Sequence, residues 1–198
     1  SANGNGLTTL AVSPKTVGDL LVVSAQEGLA GYTVTSISGG GVSTWTKAVQ
    51  FAGTLGGTSD VELWYGKVTT VGASTVTFTW SSSISGHHPE YTAQEFSAGL
   101  GASTVWALDK TGTLNGASST SVPLPSLTPS GTGELYVSYA VVANNATGGS
   151  TSGFTFVVTS ESNVVAYDTG VSGAVSPVAT QSPAGASSSA AVLFSASA

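Results

Sequence analysis

The sequence predicts an all-β fold, a two-sheet, jelly-roll-like sandwich of about ten to twelve strands built from two similar halves. Three observations point there. Short runs rich in Val, Thr, Leu and aromatics recur about every ten residues, separated by Gly, Ser, Asn and Pro. In STVTFTW (Ser74–Trp80), Val76, Phe78 and Trp80 fall on one face and Thr75, Thr77 and Thr79 on the other. That period of two fits a sheet with one face in a core and one in water. Finally, 26 glycines and many β-branched residues work against helices.

The strands follow in order. GLTTLAVS (Gly6–Ser13) is a first strand near the chain end, able to fold back or to pair with the open sheet edge of a neighbour. Then come GDLLVVSAQE (Gly18–Glu27), YTVTSIS (Tyr32–Ser38), TWTKAVQF (Thr44–Phe51), DVELWYGKV (Asp60–Val68), STVTFTW and YTAQEFSA (Tyr91–Ala98). The second part supplies GELYVSYAVV (Gly133–Val142), GFTFVVTS (Gly153–Ser160), NVVAYDT (Asn163–Thr169) and SAAVLFSAS (Ser189–Ser197).

The two sets repeat one plan. SPKTVGDLLVV (Ser13–Val23) aligns without a gap on TPSGTGELYVS (Thr128–Ser138), so that Pro14 meets Pro129, Gly18 meets Gly133, Asp19 meets Glu134 and Leu20 meets Leu135. Further on, WTKAVQF faces FTFVVTS, LWYGKV faces VAYDTG with Tyr65 on Tyr167, and EFSA faces LFSA with Phe96 on Phe194. Each unit is a Pro-Gly turn, an acidic strand start and a buried run. The Ser- and Pro-rich stretch Thr113–Gly131 connects them. One continuous sandwich over residues 1–198 is the favoured organisation, with two tandem Ig-like sandwiches, 1–112 and 113–198, as the alternative.

The succession VGDLLVV, a Trp, VELWYGKV, STVTFTW and AQEFSAG resembles the secreted jelly-roll-type β-sandwich modules of bacterial cell-surface proteins and phage tail or fibre proteins. The resemblance spans nearly the whole chain and rests on core-strand patterns. It implies an extracellular or virion-surface binding or structural module, and it brings no catalytic residue. This chain has EFSA where that pattern has an EFSG-like strand.

Composition narrows the function classes. Charged residues make up 7% of the chain, against about one quarter in an ordinary soluble domain, so Ser, Thr, Asn and Gly must keep this surface wet. There is no Arg, and the cations are Lys15, Lys47, Lys67 and Lys110 against ten carboxylates, for a net charge of −6. Nucleic acid and anionic membrane surfaces both demand clustered cations, which this chain lacks. No run approaches the ~20 apolar residues of a membrane helix. With no Cys and no Met, thiol chemistry and thiolate metal sites are excluded, and an oxidising setting suits the chain. The opening SANGNG has neither a basic start nor an apolar run, as in a processed or trimmed chain.

The residues that invite chemistry are few. SISGHHPEY (Ser83–Tyr91) holds both histidines, His87 and His88, with Glu90 two places on. Neighbouring residues of an extended chain point to opposite faces, so two adjacent imidazoles grip one metal only where a turn curls them together. A zinc site would need Glu90 and a further acid such as Glu27 or Asp60. The economical reading is a solvated loop before a strand, stiffened by Pro89. Asp60, after GGTS, and Asp109 are weak candidates for Ca²⁺, the one cofactor considered. No carboxylate spacing marks a glycosidase pair. Glu95 is read as an edge residue or as an acceptor for a backbone N–H. No GxSxG occurs, and the glycine-rich SGGGVS (Ser38–Ser43) reads as a turn.

Aromatic rings could form a sugar-stacking platform. Trp45 and Trp64 read as core, Trp64 and Tyr65 must point to opposite faces, and Trp106 in STVWALDK is the best exposed candidate, with Tyr32 weaker. Asn145 in NAT is a glycosylation acceptor sequence inside the loop NNATGGSTSG. The leading expectation is therefore a non-enzymatic extracellular module that binds or presents a glycan or cell-surface ligand. A structural subunit that self-associates through its N-terminal strand is the alternative, and a glycan-active hydrolase is a distant third.

Overall fold

The computed structural model describes residues 1–29, 31–55 and 59–198. Among these the chain is all-β, with one short 3-10 turn at Gly101–Ser103 and no α-helix. The strands are β1 (Ala2–Asn3), β2 (Thr9–Val12), β3 (Leu20–Glu27), β4 (Val34–Gly39), β5 (Thr46–Gly53), β6 (Ser59–Lys67), β7 (Ser74–Trp80) and β8 (Glu90–Phe96). They continue as β9 (Val105–Pro123), β10 (Glu134–Val142), β11 (Asn145–Gly149), β12 (Thr155–Val158), β13 (Val164–Val171) and β14 (Val178–Ser197).

The repeat seen in the sequence is a repeat of strand order. One sheet runs β1-β8-β3-β6-β5, and its counterpart runs β9-β14-β10-β13-β12. Registers agree as well: Leu20 lies opposite Phe96 as Leu135 lies opposite Phe194, and Val22 lies opposite Tyr65 as Val137 lies opposite Tyr167. The three-stranded sheet β2-β7-β4 has its own counterpart, in which the start of β14 lies between the end of β9 and β11. The first half thus breaks into separate strands (β1 and β2, β7 and β8) what the second half runs through as β9 and β14. The expected all-β sandwich of two similar halves is present, but among the described residues it is built from three sheets and fourteen strands rather than two sheets and ten to twelve strands.

The halves meet through their central sheets. Leu21, Val23 and Ala25 of β3 pack with Val76, Phe78 and Trp80 of β7 inside the first half. Leu20 and Val22, from the other face of the same strand, pack with Val137, Tyr139, Val192 and Phe194 of the second half. Beyond β10 a further apolar layer holds Val122, Leu124, Ala140 and Ala166. With both faces covered, every residue of β3 and of β10 is buried. β7 instead has one open face, and its burial alternates as its sequence does.

Three expectations need correction. Tyr65 was to face outward where Trp64 faced inward. The rings do split, but Tyr65 is half-buried against Phe194 at 4.7 Å, because its face of the sheet is covered by the second half. The Thr113–Gly131 connection is largely strand: β9 extends to Pro123 and pairs with β14. Asn145 is exposed but opens edge strand β11 rather than lying in a loop. Of the two courses open to the N-terminal segment, it takes the first and folds back onto its own half, with β1 on β8, β2 on β7, and Leu10 in the first core.

Candidate functional site

The strand ends present two polar-aromatic regions, one where β3 begins and one where it ends. At the first, the chain crosses from one half to the other through residues 97–104. Gly18 sits beneath this crossing with φ +99°, and a Cβ there would strike the carbonyl of Gly101, so only glycine fits. Trp106, expected in a loop, is the second residue of β9. It is half-buried, and its Nε1 donates to Gly18 O at 2.9 Å.

Trp106 lines a cleft of about 320 Å³ between the halves. Phe96, Leu100 and Phe194 add apolar wall, and the Gly131–Gly133 turn adds backbone. Glu134 is its only charged lining residue. Its Oε1 accepts from Gly131 N at 2.8 Å, while its buried Oε2 has no partner among the described residues. Burial raises the Glu134 carboxyl above its ordinary value, and the nearby Asp109 adds to the rise. Asp109 itself is held low, first by Ser130 N, which donates to its Oδ2 at 2.8 Å.

The opposite end carries the histidine loop. His87 and His88 lie in a loop as expected, but the loop is not simply solvated. The half-buried His87 places Nδ1 3.6 Å from Glu27 Oε1, and its ring centroid lies 4.5 Å from that of Tyr32. Tyr32 in turn packs on the first core. His88 is exposed. Glu90 is wholly buried and serves as a joint between halves. Its Oε2 accepts from Tyr139 Oη at 2.7 Å and Asn163 Nδ2 at 2.9 Å. Its Oε1 accepts from Glu161 N at 2.8 Å and Ser160 Oγ at 3.1 Å. All four donors come from the second half, and Glu90 is closed to any ligand.

The calcium candidates are otherwise engaged. Asp60 is buried beside Glu62, and Glu62 already faces Lys47 Nζ at 3.1 Å. Burial, followed by the Glu62 carboxylate, pushes Asp60 up to about 8. Asp109 caps the Ser130 turn and lies 3.6 Å from Lys110 Nζ. Among the described residues no three His, Asp or Glu side chains are arranged to hold a metal ion. Gly56–Thr58, ahead of Asp60, lie outside the described residues. Glu95 accepts from Lys15 N at 2.8 Å and Thr16 N at 3.1 Å, the backbone-capping role considered for it.

The structure therefore brings Trp106, Glu134 and Phe96 together, residues that are distant in sequence, and separates them from Tyr32 and His87. Sequence reasoning missed Glu134 as a cleft residue. Its alignment with Asp19 at a strand start marked the turn but not what the turn faces. Compared with known proteins, the chain matches no family model, no curated protein and no solved structure.

Proposed function

We propose that the chain is a non-enzymatic extracellular binding module of the jelly-roll type and that it holds a glycan in the cleft beside Trp106. The observation that carries this reading is the cleft itself. It combines a half-buried indole, an apolar wall that includes Leu100, the exposed Gly131–Gly133 rim and a volume at the lower end of the range for small-ligand sites. Pyranose rings suit such a wall, since their C–H faces pack on aromatic faces while their hydroxyls bond to the rim. A surface kept wet by Ser and Thr, without Cys or Met, fits an oxidising exterior. The jelly-roll resemblance adds the same kind of location. Against hydrolysis, the cleft is lined by a single carboxyl, Glu134, whereas a glycosidase sets a pair across its cleft.

The test is a glycan array read with the native chain and with Thr132→Trp. Thr132 is an exposed residue of the cleft rim, so its enlargement fills the cleft without disturbing a core. Retention of a defined glycan class by the native chain, lost at least tenfold in the variant at unchanged melting temperature, is the expected result. Equal retention by both proteins removes the cleft from the account. Trp106→Ala is a poorer probe, because it also breaks the bond to Gly18 and lowers stability.

A further inference from the structure

Trp106 also lines a second cleft. This one encloses about 330 Å³ and is lined by Leu20, Thr44, Thr46, Tyr65 and Lys67. The two clefts share Trp106 alone, they match in volume to within a few per cent, and both open at the end of the molecule where the chain crosses between halves. The second cleft repeats the make-up of the first: an aromatic ring from the inter-half core, threonine hydroxyls and one charged side chain.

The two charges differ in exposure. Lys67 is exposed, and its Nζ donates to Thr104 O at 3.2 Å and Ala102 O at 3.4 Å. Glu134 is buried behind the first cleft, with its Oε1 held by Gly131 N and its Oε2 shut off from solvent. A buried carboxyl disfavours a carboxylate or a sulfate set close to it.

We propose that the two clefts are two subsites for one linear, uncharged oligosaccharide, which lies across Trp106 and sets one ring or more on each side. This rests on the glycan reading above and deepens it by naming ligand charge and length. A chain that fills both subsites binds more tightly than one that fills either, because the second contact is made within the same complex. The Glu134 carboxyl disfavours a uronic acid or a sulfate in the first cleft.

The experiment is calorimetric titration of the full chain with the neutral cello-oligosaccharides of two, four and six units, and of Thr44→Trp in parallel. Thr44 is exposed and lines only the second cleft. Tetramer affinity at least tenfold above dimer affinity, with that gain abolished in Thr44→Trp while dimer affinity is kept, is the expected pattern. Length-independent binding overturns the two-subsite inference and leaves the glycan reading standing. A length effect that survives Thr44→Trp overturns the assignment of the second cleft. No binding at any length, with the variant and the native chain melting alike, overturns both. Matching affinity for an oligogalacturonate of four units overturns the discrimination against acidic chains.

Discussion

The two halves share strand order and register but are stabilised by different chemistry at matching places. In the first half, β8 docks on the β12–β13 turn of the second half through the Glu90 carboxylate and its four donors. In the second half, the position in register with Glu90 is Ser188 of β14. It docks on the β5–β6 turn by accepting from Leu55 N at 3.2 Å. Beside each stands an asparagine from the neighbouring strand. Asn3 donates to Glu161 Oε1 at 2.8 Å, and Asn115 Oδ1 accepts from Thr54 N at 3.0 Å. This is the geometry of an isologous dimer within one chain, each half offering the same patch to the other. One joint uses a charge and the other a hydroxyl. The fold therefore fixes where the joint lies, and the side chain fixes how firmly it is held.

The largest expected effect follows from that difference. Glu90→Ala leaves Tyr139, Asn163, Ser160 and the Glu161 amide without their acceptor, and should cost about 3–5 kcal/mol in urea unfolding. Ser188→Ala removes one hydroxyl and should cost about 1 kcal/mol. Equal losses would mean that the joints do not differ in strength.

Next comes the acid content of the first core. By register, Asp60 and Glu62 stand where the second half has Ser162 and Val164. Asp60 has a value raised to about 8 from 3.8, so the folded chain keeps a proton that the unfolded chain releases above about pH 4. Its contribution to stability is thus greatest in acid and falls as pH rises from about 4 to about 8. Asp60→Asn should flatten that slope, gaining stability at pH 9 and almost nothing at pH 4. A gain equal at both pH values would count against a protonated Asp60.

The smallest effect concerns the paired turns at the cleft end. The turn before β3 is capped by Glu95, which takes two amides, and the turn before β10 by Asp109, which takes one. Glu95→Ala should cost about 1–2 kcal/mol, as for a charge-assisted bond to backbone. Asp109→Ala should cost less, since Asp109 holds one amide rather than two. The reverse order would show that the second turn depends more on its cap than the first.

Much of this was legible in the sequence, for identifiable reasons. The alternation in Ser74–Trp80 survives because β7 has one open face. The gapless match of Pro14, Gly18 and Leu20 with Pro129, Gly133 and Leu135 survives because both turns lead into central strands. What failed was whatever depended on the contact between halves. Tyr65 was read as exposed because nothing local says that its face is covered. The Ser- and Gly-rich length of β9 resembles a linker, since its order comes from pairing with β14 rather than from its own residues. Glu90 was grouped with the histidines by proximity in sequence, although it turns to the opposite side of the sheet from Tyr91. Glu134 and Trp106 are 28 residues apart, and only the crossing at 97–104 brings them together.

The central claim is that ligand binds where the chain crosses between halves and not at the histidine loop. The most direct test is backbone and indole NMR of the full chain titrated with cellotetraose. The account predicts shifts at the Trp106 indole N–H and at residues 97–106 and 131–135, with Tyr32, His87 and His88 unmoved. Shifts confined to Tyr32, His87 and His88, with the Trp106 indole unchanged, would contradict it.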